Sequence, residues 1–413
     1  MARQIVFFED KKCVNLYPLT LNRPVYNLHC GIRPLWEKVA GFYSHAPHAF
    51  HVRPYLSDLL KEQRNTPCVN ANYQPEILLI NGRVLWNRQL AETIQLDGDD
   101  RLFIQEDTLI AARLSGENTQ KAIGGTYISP DLFPSIPKTE VQAKTINYPW
   151  DLVFSNAHQI EEDYRQLGCN AAKEGEMHEG IHILAPERVT IAPGARVKPG
   201  VVIDAEKGPV FIDAEADIYP QAVIEGPAYI GKQSWVMISA KIYEGTSIGE
   251  QCKIGGEVEE CVIHSYTNKR HDGFLGHACL GEWVNLGADT NNSDLKNNYS
   301  NVKCFINGEL ISTESMFMGL VMGDHSKTGI NTMLNTGTVA GFSCNIYGSN
   351  FPPKYLPSFA WGGSEGFVNY DLTKAIENAR KCVHRKEMDI SESEETVFRA
   401  IFEATQPERD RFF

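Results

Sequence analysis

The 413-residue chain lacks three things: a C-x-x-C pair among its ten cysteines, any run near the roughly 18 apolar residues of a membrane helix, and enough positive charge to balance its acids. The cysteines, from Cys13 to Cys382, are dispersed, so a zinc or redox motif is not indicated. They read as reduced and mostly buried thiols. Against 52 Asp and Glu stand 39 Lys and Arg, a net charge of −13. That balance disfavours generic binding to nucleic acid or to an anionic membrane. A local basic pocket for a phosphorylated ligand remains compatible with it. The start, MARQIVFFED, meets an acidic pair after four apolar residues, too short a run for a signal peptide. The expectation is a cytoplasmic protein of two domains.

What is present is a period. Counting in sixes from Ile212 gives Ile218, Ile224, Ile230, Val236, Ile242, Ile248 and Ile254 without a slip. The register extends back through Ile203, Val197 and Ile191, with one longer step. Six fits neither the 3.6 of a helix nor the 2 of a strand ladder. It fits a parallel β-helix with three hexads to a turn, each aliphatic pointing inward. Pro193, Gly194, Pro199 and Gly200 suit its corners. Leu280 and Leu286 resume the period, and Ile330, Thr336 and Phe342 are expected to hold it again. Between them lie two insertions, Asn285–Asn301 and Lys303–Met316, expected as surface loops where ligands bind.

Residues 1–148 lack the period. Gln4–Phe8 and Ile77–Leu85 read as strands, Pro34–Tyr43 as a helix, and Arg101–Leu114 as a strand-then-helix mixture, which suggests an α/β domain. Residues 149–180 read as a helical linker, 181–350 as the β-helix, and 351–413 as a largely helical extension. In the extension, Leu372, Ile376, Ala379 and Val383 form one apolar stripe and Val397, Ile401 and Ala404 another. These helices are expected to cover the open end of the solenoid.

The hexads, together with HDGFLGHACLGEWVNLGADT (His271–Thr290), NLYPLTLNRPVYNLHCGI (Asn15–Ile32), PWDLV (Pro149–Val153) and GDHSKTGINTMLNTGTVAG (Gly323–Gly341), resemble a known group. It comprises the sugar nucleotidyltransferases related to the bifunctional N-acetylglucosamine-1-phosphate uridylyltransferase/glucosamine-1-phosphate acetyltransferase. The resemblance implies a nucleotidyltransferase-like α/β domain, then a left-handed parallel β-helix that transfers an acyl group, with a helical tail. It places His271 at the head of the family's H-x-x-Y-L-G motif as general base, a role suited to an imidazole near neutral pH. Phe274 replaces the tyrosine. Asn285 matches the Asn of the V-N-I-G run. Lys269, Arg270, Lys296 and Lys303 are candidates for the phosphates of a sugar phosphate or of coenzyme A. His277, one hexad after His271, and His325 are rival bases.

The N-terminal domain departs from this pattern. Working enzymes of the class carry a Gly-rich loop after the first strand to cradle nucleotide phosphates. Here that place reads FEDKKCVNLYPL, with Glu9 and Asp10 where an anion should bind. Lys12 and Arg23 are the nearest cations. The family's metal-holding Gly-Asp pair is Gly82–Arg83 here, and Arg cannot ligate Mg²⁺. The first reading is therefore an acyl-CoA-dependent transferase, with acetyl-CoA as donor, acting on a sugar phosphate or nucleotide sugar. It would be fused to a degenerate nucleotidyltransferase domain. The second is an active, Mg²⁺-dependent sugar-1-phosphate nucleotidyltransferase, and the third a non-catalytic scaffold that binds sugar nucleotides. A homotrimer is expected, with Trp235, Met237, Trp283, Met316, Phe317 and Met318 as its apolar contact residues.

Overall fold

The computed structural model describes residues 3–123, 125–169 and 171–413. The N-terminal unit is a six-stranded sheet in the order His48–Phe50, Gln4–Phe8, Glu76–Asn81, Thr108–Ser115, Arg101–Gln105 and Lys138–Glu140. Its centre is all apolar: Ile5–Phe8 and Ile77–Ile80 are fully buried and pair in parallel. The strand expected to run to Leu85 stops at Asn81. Gly82 packs so closely on Tyr26 that a Cβ there would lie 2.7 Å from its ring. Arg101–Leu114 is no strand-helix mixture. Arg101–Gln105 and Thr108–Ser115 form an antiparallel hairpin, and the helix follows at Glu117–Ile123. The run Leu109–Ala112 is buried on both faces, and periodicity cannot separate such a run from a helix.

From Glu176 onward the chain winds a left-handed parallel β-solenoid of about ten turns. The eight in-phase aliphatics fall on its three faces in rotation, and all are buried. On one face Ile191, Ile212, Ile230, Ile248, Ile263, Leu280 and Met322 stack coil on coil. After the insertions the inward column is Met322, Thr328, Leu334, Ala340 and Ile346. This lies two residues out of phase with the expected one. Ile330 is 69% exposed at a corner, and Phe342 faces outward onto Phe398, with ring centroids 4.8 Å apart. A period cannot be carried across a break of unknown length.

The helix Pro149–Gln166 lies along the nine-stranded solenoid face. Its Asn156 accepts from the Gly31 N–H (2.6 Å) and donates to the Gly245 carbonyl (2.8 Å). The tail helices Leu372–His384 and Glu392–Ala404 do not cap the solenoid end. Ile376, Ala379, Val397 and Ile401 of their apolar stripes join one core with the N-terminal unit and the outer side of that face, while Ala404 is exposed. The end is closed by the hairpin Ala360–Gly363/Gly366–Asn369, with Phe412 packed on Phe367. The hairpin pairs the edge of one face of the last coil.

Candidate functional site

The place of the nucleotide cradle is filled from within. Glu9 is fully buried, and its carboxylate accepts from Arg53 Nε at 3.0 Å and from the Val25 N–H at 2.9 Å. Arg53 also donates to the Tyr17 and Tyr55 hydroxyls and to the carbonyls of Thr20 and Arg23. Asp10 is held two-pronged by Arg83, whose Nη1 donates to the Ile146 carbonyl and to Asn147. Both guanidiniums are thus spent on internal acceptors, and the acid beside them that could meet Mg²⁺ is neutralised by Arg83. The residues present do not fit a metal-bound nucleotide.

The Asn15–Ile32 motif is an interdomain clamp. Arg23 is buried and pairs with Asp324, and its Nη1 lies 3.2 Å from Glu282. Asn22 donates to Asp324 as well (3.0 Å). The His29 N–H donates to His264 (3.2 Å), and Ser247 donates to the Gly31 carbonyl (2.8 Å). Asp324 can approach only because residue 281 is glycine: a Cβ there would lie 2.1 Å from the Asp324 carboxylate. Lys12 is half exposed and tied to Asp107 (3.3 Å). Neither Arg23 nor Lys12 faces an anion-binding cradle.

One candidate histidine stands between two carboxylates. His277 stands at a solenoid corner with φ 46°, pinned by its N–H to the Glu259 carbonyl (2.9 Å) and by its carbonyl to the Gly319 N–H (3.0 Å). Its Nδ1 donates to Asp294 at 2.8 Å, and its Nε2 faces Glu260 at 3.4 Å. Phe317 stacks on the ring at 5.1 Å. Burial pulls the imidazole pKa down, but the Asp294 hydrogen bond and the charges of Glu260 and Asp294 outweigh it, and the net shift is upward. Asp294 and Glu260 were not foreseen. Hexad counting misses both, because strand pairs here, such as Val258–Leu275, are 17 residues apart, one short of three full hexads. One coil back from His277 is Glu260, and one coil on is Asp294.

The other candidates scatter. His271 is exposed at a different corner and its imidazole makes no side-chain hydrogen bond or ion pair among the described residues. Phe274 donates its N–H to Asn291 (2.7 Å). Lys269 never reaches the surface. It takes the inward position above Ile254, where its ammonium donates to the carbonyls of Gly255 (2.7 Å) and His271 (3.0 Å). Burial lowers its pKa to about 8. Lys296 donates to the Asn301 carbonyl, and Lys303 is exposed on the hairpin Lys303–Ile306/Glu309–Ser312. His325 is buried between Trp283, Phe342 and Phe398, and burial holds its pKa well below the ordinary value. Asn285 accepts from Asn268 (2.7 Å) and lines a groove of about 150 Å³ with Lys253, Tyr266, Arg385 and Lys386. Burial, then the charges of Lys386, Arg270 and Arg385, lowers the Lys253 pKa, so these cations sit within range of one another. Of the six residues expected at an apolar contact surface, Trp283 and Met318 are instead buried within the chain, and Trp283 stacks on Tyr266 at 4.4 Å.

Residues 5–170 match the sugar nucleotidyl transferase family model. The bifunctional protein GlmU of Synechococcus sp. (strain JA-3-3Ab) is 28% identical over 223 residues, covering 49% of this chain and 33% of its own. The bifunctional sugar-1-phosphate nucleotidylyltransferase/acetyltransferase of Sulfurisphaera tokodaii is 35% identical over 143 residues, covering 34% of this chain and 36% of its own. The chain is related to these bifunctional transferases. It spans about a third of their length. Among solved structures, the UDP-N-acetylglucosamine acyltransferase of Francisella novicida aligns with 58% of this chain and 88% of its own, at 13% identity and a TM-score of 0.29. No helix among the described residues is long and apolar enough to cross a membrane.

Proposed function

We propose that this protein is a cytoplasmic acyltransferase that moves an acyl group, acetyl in the simplest case, from coenzyme A to a sugar phosphate or nucleotide sugar. The Glu260–His277–Asp294 ladder carries the reading. Asp294 fixes the tautomer of His277 with the proton on Nδ1, so Nε2 is the basic nitrogen. Nε2 takes the proton from the acceptor amine or hydroxyl as that group attacks the thioester carbonyl, and the coenzyme A thiol leaves. The raised pKa lets Asp294 and Glu260 stabilise the imidazolium formed at that step. The basic groove of Lys253, Arg385 and Lys386, with Asn285 on its wall and the charge of Arg270 felt at Lys253, suits the phosphates of the donor.

His277 and the groove occupy different corners of the same coils. A three-fold assembly would set the groove of one subunit against the His277 edge of the next. Ile238 and Ile330 are exposed on the solenoid, as are Met316 and Phe317 near His277, and they are the apolar surface such packing would cover. The N-terminal unit, its cradle closed by Arg53 and Arg83, is a structural partner to the solenoid and no longer transfers nucleotides. Release of free thiol from acetyl-CoA, measured over a panel of amino-sugar phosphates, tests the reading. His277→Ala should lose about 10²–10⁴-fold in rate while His271→Ala stays within a few-fold of wild type. The reverse ranking would return the base to His271. Light scattering tests assembly: the 46.3 kDa mass of a single chain across the micromolar range would dismiss the shared site.

A further inference from the structure

A second cavity, of about 210 Å³, opens where the N-terminal unit, the solenoid corner and the helix Glu392–Ala404 meet. It is lined by Trp36 and Arg64 from the first, Glu282 and His325 from the second, and Glu394 from the third. Its volume is many times what one ordered water requires. Polar groups around it lack protein partners. His325 Nδ1 and Arg23 Nε belong to side chains more than nine-tenths buried, and the Trp36 indole N–H, Arg64 Nε and Asn22 Oδ1 are unpartnered too. These atoms lie behind the cavity wall; the Arg64 guanidinium, whose Nη2 donates to Asn27 (2.7 Å), and the side chains of Glu37 and Glu394 line the space itself.

We propose that this cavity binds a small, neutral, polyhydroxylated ligand of about monosaccharide size, at a site separate from His277. The lining chooses the ligand class. Arg23 is already neutralised by Asp324 and Glu282, which leaves Arg64 against Glu37 and Glu394. A phosphate would face those carboxylates. Burial raises the pKa of Glu394, with the charges of Glu62 and Glu282 adding to it, and burial raises that of Glu37 against the pull of Arg64 and Arg33, so a further negative charge is unwelcome beside either. Hydroxyl groups answer both demands at once. Their oxygens accept from the Arg64 guanidinium, and their protons go to Glu37 and Glu394. Leu59, Val397 and Phe398 supply an apolar wall for the carbon skeleton. Because three parts of the chain meet there, a bound ligand would hold the tail helices and the N-terminal unit to the solenoid.

Calorimetric titration of the full chain with glucose and N-acetylglucosamine, each beside its 1-phosphate, tests the proposal. Saturable binding of a free hexose, tighter than that of its phosphate, is expected. Arg64→Met keeps an apolar stem but removes the guanidinium, and it should weaken binding about tenfold. Binding should be unchanged in His277→Ala, so the outcome does not depend on the acyl-transfer reading. Absence of saturable binding up to tens of millimolar, preference for the phosphates, or equal binding by Arg64→Met would each overturn it. The first of these would mean that the cavity is simply hydrated.

Discussion

Asp294→Asn is the perturbation that probes the proposed site most directly. It preserves the shape of the side chain and an oxygen to accept from His277 Nδ1, now 2.8 Å away, but removes the charge. A hydrogen bond to a charged group contributes about 1.5–3 kcal/mol and a neutral one about 0.5–1.5. The variant should therefore lose roughly 1–1.5 kcal/mol of stability while the imidazole is protonated. The folded pKa of His277 is raised, so this contribution is complete below the unfolded value of about 6.5 and disappears as pH rises through the folded value. Urea unfolding should show wild type and variant converging on the alkaline side. In catalysis the neutral imidazole is the base, so wild-type kcat/KM should climb as pH rises through that raised pKa. In the variant the limb should move to lower pH, because only Glu260 at 3.4 Å remains to favour the imidazolium. The plateau should fall by about 10²–10⁴-fold, since the tautomer is no longer fixed and the developing charge is less well balanced. Titration of the His277 ring protons by NMR reads the same shift without any substrate. An unmoved ring titration together with an undiminished plateau would refute the dyad.

Arg23→Gln leaves the fully buried Asp324 without its cation and should destabilise the chain by about 3–5 kcal/mol in urea unfolding; a loss below 1 kcal/mol would contradict the clamp. Lys269 has a folded pKa of about 8 against an unfolded one of 10.5, so the unfolded state binds more protons between those values and wild-type stability should rise across that range. The full rise is about 3 kcal/mol at 1.36 kcal/mol per pKa unit, and Lys269→Met should abolish it. With Mg²⁺, any NTP and any sugar 1-phosphate, pyrophosphate release should stay at background, because Arg53 and Arg83 occupy the cradle; robust metal-dependent turnover would overturn that reading.

The sequence by itself determined the solenoid. Three flat strands to a coil place one aliphatic inward every six residues, and that pattern survives wherever no loop interrupts it, as from Ile212 to Ile254. It also flagged the N-terminal loop, because a missing glycine and a misplaced Arg83 are visible one residue at a time. Phase beyond the insertions was not legible: a loop of any length can separate Leu286 from Thr328, so Ile330 and Phe342 were assigned inward when they face out. Nor could the hexads say that Lys269 fills an aliphatic's place, since a cation there reads as a phosphate ligand until its two carbonyl partners are seen. The site itself is tertiary. Glu260, His277 and Asp294 are each 17 residues apart, unremarkable along the chain, and become neighbours only because one turn of the solenoid closes on that spacing. Arg23 and Asp324, 301 residues apart, meet only because the N-terminal unit docks on the solenoid, and that docking turned an expected phosphate ligand into an interdomain bond.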